Sequence, residues 1–454
     1  MQRTAPMRGM VRGAAMAPRL DRAALISSFQ GYGSKKQLVG GEFERAVVRP
    51  DGRPISYEED HGIRWYLEEF ARRWGWEIVT EGDLPIALLK DGANLTLEPG
   101  GQIELSGAPH ASLRELESEL ATNRVQLVEL ANEAGHVAIA CGLTPIASIP
   151  SIPWMPKGRY VVMREYLAKH GELAHFMMKG TTSVQANFDY VDEADCAEKV
   201  AVAAGLAPLV TAIFANSPLY ENKPTGFESM RANVWRHTDP DRTGFPTPIA
   251  DGFGFDRWVD YLLEAPMMFY KRRSAGDAYG QWAHANGRTF REYMEVGIDG
   301  QLAEEKDWEL HQTSVFPEVR IKRTIEVRCG DGGGPDLALA FCALFAAILY
   351  VEPARAAASE LALDLRRRAT LPDQHLAAAT GGLSATIGGR PTGEWADALA
   401  AIATSALSSF DKGSLPLLDP FLERIENRRS PARDLLDRWN ESADPAAIVR
   451  AVAY

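Results

Sequence analysis

Four stretches of the chain alternate polar and apolar residues with a period of two, the spacing that sends successive side chains to opposite faces of a β-strand. In residues 183–190 (SVQANFDY), Ser183, Gln185, Asn187 and Asp189 make one row and Val184, Ala186, Phe188 and Tyr190 the other. In residues 320–328 (RIKRTIEVR), Lys322, Thr324, Glu326 and Arg328 share a face, while Ile321, Ile325 and Val327 share the opposite one, with Arg323 the exception. In residues 37–48 (QLVGGEFERAVV), Glu42 and Glu44 stand on one face and Phe43 on the other. In residues 94–105 (NLTLEPGGQIEL), the turn Pro99-Gly100-Gly101 predicts a hairpin in which Glu98 lies opposite Gln102 and Glu104 shares their face. One-sided strands of this kind belong to antiparallel sheets.

A sheet with one face in water shows the same alternation, but solvated faces usually carry Lys, Thr, Ser and mixed charges. These rows collect Glu, Gln, Asn and Arg instead. Glutamates gathered on one sheet repel each other unless cations are bound, which favours a metal-lined active face. Carboxylates without Cys or His partners suit hard, oxygen-seeking ions, so magnesium or manganese is expected rather than zinc or copper. Such ions typically escort phosphates. Glu326-x-Arg328, followed by Gly330-Asp331-Gly332-Gly333-Gly334, can hold a phosphate through the arginine fork and a metal through the glutamate. A surface ion pair before a glycine turn has the same spelling. Lys157 and Arg159 beside Tyr160 are candidates for an anion clamp, and Arg231 and Trp235 lie in a Pro- and Gly-framed segment of the kind that contacts substrates. Phosphate-loop and dinucleotide signatures are absent, as is any serine-nucleophile elbow.

The remainder of the chain sets the frame. Helical periodicity runs through 62–74, 112–134 and 194–214, helices dominate from Leu337 onward, and polar loops are expected near 218–254 and 271–289. No internal repeat is present, so the reading is one body spanning residues 21–454. The longest apolar run, 337–351, falls short of the roughly 20 residues that span a bilayer and reads as a core helix; no membrane association is expected. With 49 Lys+Arg against 61 Asp+Glu the net charge is −12, which argues against a nucleic-acid partner. Four scattered cysteines without a CxxC fit a reducing compartment. Residues 1–20 contain four arginines and no acid; they read as a disordered tail or an upstream start choice rather than a transit peptide. Together with Ala- and Arg-rich usage, this suggests a bacterial cytoplasm.

Several longer motifs are specific enough to indicate a family. The runs 97–109 (LEPGGQIELSGAP), 155–160 (MPKGRY), 183–189, 214–218 (FANSP), 229–244 (SMRANVWRHTDPDRTG) and 316–333 (FPEVRIKRTIEVRCGDGG) closely resemble, in order, the plant and proteobacterial type of glutamate–cysteine ligase. The resemblance implies an α+β fold of the glutamine-synthetase-like kind, a curved, mostly antiparallel sheet with a polar concave active face backed by helices. It implies ATP-dependent joining of the L-glutamate γ-carboxylate to the amine of L-cysteine through a γ-glutamyl phosphate, the first step of glutathione biosynthesis. The resemblance assigns Glu42, Glu44, Glu98, Glu104 and Glu326 to two or three Mg²⁺ (or Mn²⁺) ions and Arg328 to the transferring phosphoryl group. It further implies substrate contacts for Lys157, Arg159, Gln185, Asn187, Arg231 and Trp235, in a monomer or homodimer. Gly180 replaces an arginine of the relatives and Cys329-Gly330-Asp331 their Gly-Ala-Asp, departures expected near the amine pocket. A ligase of the same fold using another amine, or a catalytically silent binding protein, are the alternatives.

Overall fold

The computed structural model describes residues 20–274 and 277–454, so the expected tail lies, but for Leu20, outside the described residues. Nine strands build the main sheet: β1 (Val39–Val48), β2 (Glu77–Glu81), β3 (Leu84–Lys90), β4 (Ala93–Leu97), β5 (Ile103–Ser106), β6 (Val137–Ile139), β7 (Ser183–Phe188), β8 (Val319–Ile321) and β9 (Ile325–Asp331). Every pairing is antiparallel, in the order β8-β9-β7-β1-β5-β4-β3-β2, with β6 on the second half of β1. Register shifts at Val79/Thr80 and Val327/Gly330 are bulges, which bend strands and deepen the sheet's curl.

The predicted alternation is observed along β1, whereas residues 320–328, expected as one strand, turn at 322–324 between β8 and β9, so Lys322 and Thr324 lie in the turn and not in a strand row. Along β1, Val39, Gly41, Phe43, Arg45 and Val47 are buried, while Glu42 and Glu44 occupy the other face. The β4–β5 hairpin turns through Pro99-Gly100-Gly101, with the Glu98 amide donating to Gln102 O at 2.9 Å. Gly101 holds φ at +88°, a region that favours glycine, and a Cβ on Gly100 would meet the Lys179 backbone oxygen at 2.3 Å.

Three helices cover the apolar face. Leu113–Ala134 packs on β1; it starts where Ser112 Oγ accepts from the Arg114 and Glu115 amides (3.1 and 3.3 Å), and it ends at Gly135, whose φ is +68°. Glu193–Ile213 packs on β8 and β9, and Pro335–Tyr350 on β7 and β1. The latter is the expected core helix, buried without interruption from Ala338 to Tyr350. Glu193–Ile213 is long and apolar enough to cross a membrane by length and composition, yet 83% of its apolar window is buried inside the protein.

Two expected loops prove more ordered. Within 218–254, Met230–Arg236 is a helix of seven residues, too short for its period to show in sequence; Ser229 Oγ caps it by accepting from the Ala232 amide at 3.1 Å. Within 271–289, Phe269–Ser274 pairs antiparallel with Asp277–His284, held by Lys271 over the Trp282 ring (4.3 Å) and an edge contact between Phe269 and Trp282. On the core face, Arg45 breaks the apolar rule. Its wholly buried guanidinium donates to Phe43 O (2.8 Å) and Asn123 Oδ1 (2.5 Å) and lies 5.2 Å from the ring centre of Tyr454, whose amide donates to Ala138 O on β6 at 2.8 Å.

Candidate active site

Strand register decides which polar side chains meet. Glu42 stands opposite Ser106 on β5 and Gln185 on β7; Glu44 is opposite Glu104, and Glu104 is opposite Thr96 on β4. Farther along, Asn187 pairs with Glu326 and Glu326 with Arg320. The result is a continuous polar belt flooring a cleft of about 400 Å³. Glu42, Glu44, Glu98, Glu104, Gln185 and Arg328 line it, with Arg159 and Trp235 on its walls.

The carboxyls are not at ease together. Burial, then the charges of Glu326 and Glu104, pushes Glu42 up to about 7. Burial, then Glu104 and Glu98, raises Glu44 well above the usual carboxylate range; burial, then Glu98, raises Glu104. Neighbouring donors fix their orientation: the Ser183 amide donates to Glu44 (2.6 Å), Asn187 Nδ2 to Glu42 (2.8 Å) and Thr96 Oγ1 to Glu104 (2.8 Å). Among the described residues no three His, Cys, Asp or Glu side chains already converge as a metal cage. The donor chemistry nevertheless fits hard cations, because crowded carboxyls with only oxygen atoms on offer lose their mutual repulsion when a divalent ion sits between them.

Four of the sequence-chosen residues do not line the cleft. Glu326 is wholly buried, and its oxygens are engaged by Arg320 (2.7 Å), Lys322 (2.9 Å) and Arg328. Burial opposes its charge, but those three cations outweigh burial and hold it well below the usual range. Arg328 is in turn raised, burial being outweighed by Glu326 and Glu42, and it also donates to Gln185 Oε1. Lys157 turns inward, its Nζ donating to Leu97 O at 2.8 Å, and burial, then Arg159, lowers it to about 7. Arg231 lies behind Arg328 and donates to its carbonyl at 2.9 Å. Asn187 accepts from Thr324 Oγ1 at 2.9 Å and faces an adjoining cleft.

Other residues escaped the sequence reading. Arg320 is one; it lies on β8 and meets Glu326 only through the pairing of β8 with β9 across the turn at 322–324. Asp331 is a second: buried, it accepts from Ser217 Oγ (2.6 Å), Ser229 Oγ (2.8 Å) and the Asn216 amide (2.8 Å), pinning the loop that supports Arg231. Asp239 and Arg242, within the 229–244 run, form a wholly buried ion pair at 2.5 Å and serve as scaffold. Gly180 is absent from the cleft lining; a Cβ there would meet Ile149 Cδ1 at 2.5 Å, so a larger residue requires Ile149 to shift.

An antiparallel sheet with carboxylates and a buried arginine on its polar face, backed by helices, is the glutamine-synthetase-like fold. The fold is similar to that of a glutamate–cysteine ligase from Francisella tularensis solved in complex with AMP, with a TM-score of 0.57 over 92% of this chain and 88% of that one at 13% identity.

The family model for glutamate–cysteine ligase family 2 (GCS2) matches residues 38–452, and the chain belongs to that family. Curated relatives include chloroplastic glutamate–cysteine ligases of Brassica juncea (40% identical over 352 residues, 76% of this chain and 66% of that protein) and Arabidopsis thaliana (39% over 334 residues, 72% and 62%). The enzyme of Nicotiana tabacum is 35% identical over 404 residues, 87% of this chain and 75% of that protein. The chain thus spans roughly two thirds of the length of the first two. These relatives are plastid proteins of plants, which overturns the expectation of a bacterial cytoplasmic protein.

Proposed function

We propose that the chain catalyses the ATP-dependent ligation of L-glutamate to L-cysteine, giving γ-glutamylcysteine, ADP and phosphate. The observation that supports this most directly is the crowded carboxyl belt of Glu42, Glu44 and Glu104 sharing one cleft with Arg328, within a chain of this family. A γ-carboxylate oxygen of glutamate attacks the γ-phosphorus of ATP, and ADP leaves. The cysteine nitrogen then attacks the acyl carbon, loses a proton and expels phosphate. Phosphoryl transfer asks the protein chiefly for positioning and for positive charge around the moving group.

Arg328 is assigned to that group, its fork held in place by Glu326 and Gln185. Glu326 serves as the anchor of Arg320, Lys322 and Arg328 rather than as an open ligand. Glu42, Glu44, Glu98 and Glu104 are the residues that would hold two or three magnesium ions, which supply further neutralisation of phosphate charge when bound. Trp235, on the cleft wall, has a buried indole N–H without a hydrogen-bond partner and is assigned to an amino-acid substrate, and Arg159 is a wall cation. Residues 21–454 are proposed to work as one catalytic unit.

The test is ADP release with glutamate and magnesium held constant and a panel of amines supplied one at a time. Cysteine should give the fastest turnover. Turnover with another amine and none with cysteine would refute the assignment.

A further inference from the structure

The cleft has two chemically different sides. Besides the polar floor, four methionines line it: Met163 from the helix Gly158–Leu167, Met177 and Met178 from Ala174–Gly180, and Met268 ahead of the ribbon. Met163, Met178 and Met268 are buried, and Met177 is half-buried. This wall adjoins the catalytic end, because Ala174–Gly180 packs on Met230–Arg236, whose Trp235 lies 5.8 Å from both the Phe316 ring and the Arg328 guanidinium. Four thioethers in one polar cleft are more than gap-filling requires.

Resting on the function proposed above, we infer that the methionine wall selects the side chain of the acceptor amine. ATP brings phosphates and glutamate brings two carboxylates to the region around Arg328, and neither group gains from thioethers. The CH₂–SH of cysteine is polarizable and needs no strong hydrogen-bond partner, so it fits soft, flexible methionine side chains. Serine differs only by a hydroxyl, which would leave its water partners and find none on this wall. Met177 is the member best placed to be probed, being the least buried of the four.

The experiment measures KM for cysteine, glutamate and ATP separately, together with the cysteine-to-serine ratio of kcat/KM, in wild type, Met177→Ala, Met177→Leu and Met177→Gln. Removing side-chain volume in Met177→Ala should raise the cysteine KM by about tenfold, with the other two within about twofold. Met177→Leu, which conserves volume and guards against loss of fold, should raise it by no more than about threefold. Met177→Gln supplies a hydrogen-bond partner and should lower the preference for cysteine over serine by about tenfold. An increase confined to the ATP KM would overturn the inference by placing the nucleobase on this wall, and so would unchanged cysteine constants in all three variants. Failure of the underlying function reads out elsewhere, as absence of cysteine turnover by the wild type.

Discussion

Glu326→Gln is the sharpest perturbation of the site. The glutamate is wholly buried, and Arg320, Lys322 and Arg328 converge on its two oxygens. The amide keeps the shape and removes the charge, leaving three cations to face one another around a neutral group. Removing one partner of a buried ion pair costs about 3–5 kcal/mol, mostly as the penalty of the charge left behind. The unfolding entropy of 454 residues, at about 2.1 cal/mol/K each, is close to 1 kcal/mol/K. Glu326→Gln should therefore lower Tm by about 3–5 °C in calorimetry without substrates, and release of Arg328 should also abolish ADP formation. Arg320→Met provides the contrast: Glu326 then keeps two cations, so the loss should be about 1–2 kcal/mol and the Tm change correspondingly smaller. A Tm unchanged within 1 °C for Glu326→Gln, or equal effects of the two substitutions, would refute the role of Glu326 as the anchor.

Two further outcomes follow from residues outside the cleft. His311 is buried, with Nε2 2.6 Å from Leu262 O, and burial lowers it to about 4, so it is neutral in the folded protein. The unfolded chain protonates it near 6.5, so the folded state loses stability as pH falls from about 6.5 to 4, by about 3 kcal/mol. In urea unfolding, the gap between wild type and His311→Gln should change by that amount across this window; a pH-independent gap would dismiss the reading. Asp331→Ala strips the acceptor from two hydroxyls and one amide, and at about 1 kcal/mol each should cost about 3 kcal/mol and shift the urea midpoint accordingly, an unchanged midpoint being the contrary result.

Period-two rows were legible because they are local: Glu42 and Glu44, the Pro99-Gly100-Gly101 hairpin and the Gln185 row need only neighbouring residues to be placed on a face. The meeting of Glu44 with Glu104 and of Asn187 with Glu326 was less legible, because register across strands is a tertiary fact. For the same reason Arg320 was passed over, since nothing in the local spelling says that it crosses to Glu326. Side-chain direction also escaped the sequence. Lys157 and Arg159 look alike as loop cations, yet one bonds a backbone carbonyl inside the protein and the other reaches the cleft. The methionine wall gathers residues separated by a hundred positions and has no signature at all.

The closure of Arg45 beneath Tyr454 has a consequence for synthesis. Arg45 lies on β1, and the ring beside it is encoded 454 − 45 = 409 residues later. At about 5–20 residues per second, roughly 20–80 s pass between the emergence of the two from the ribosome. During that interval the nascent chain carries an unshielded guanidinium under the strand that bears Glu42 and Glu44, and the amide of Tyr454 has yet to reach β6. β1 is thus made long before the segment that seals its core face.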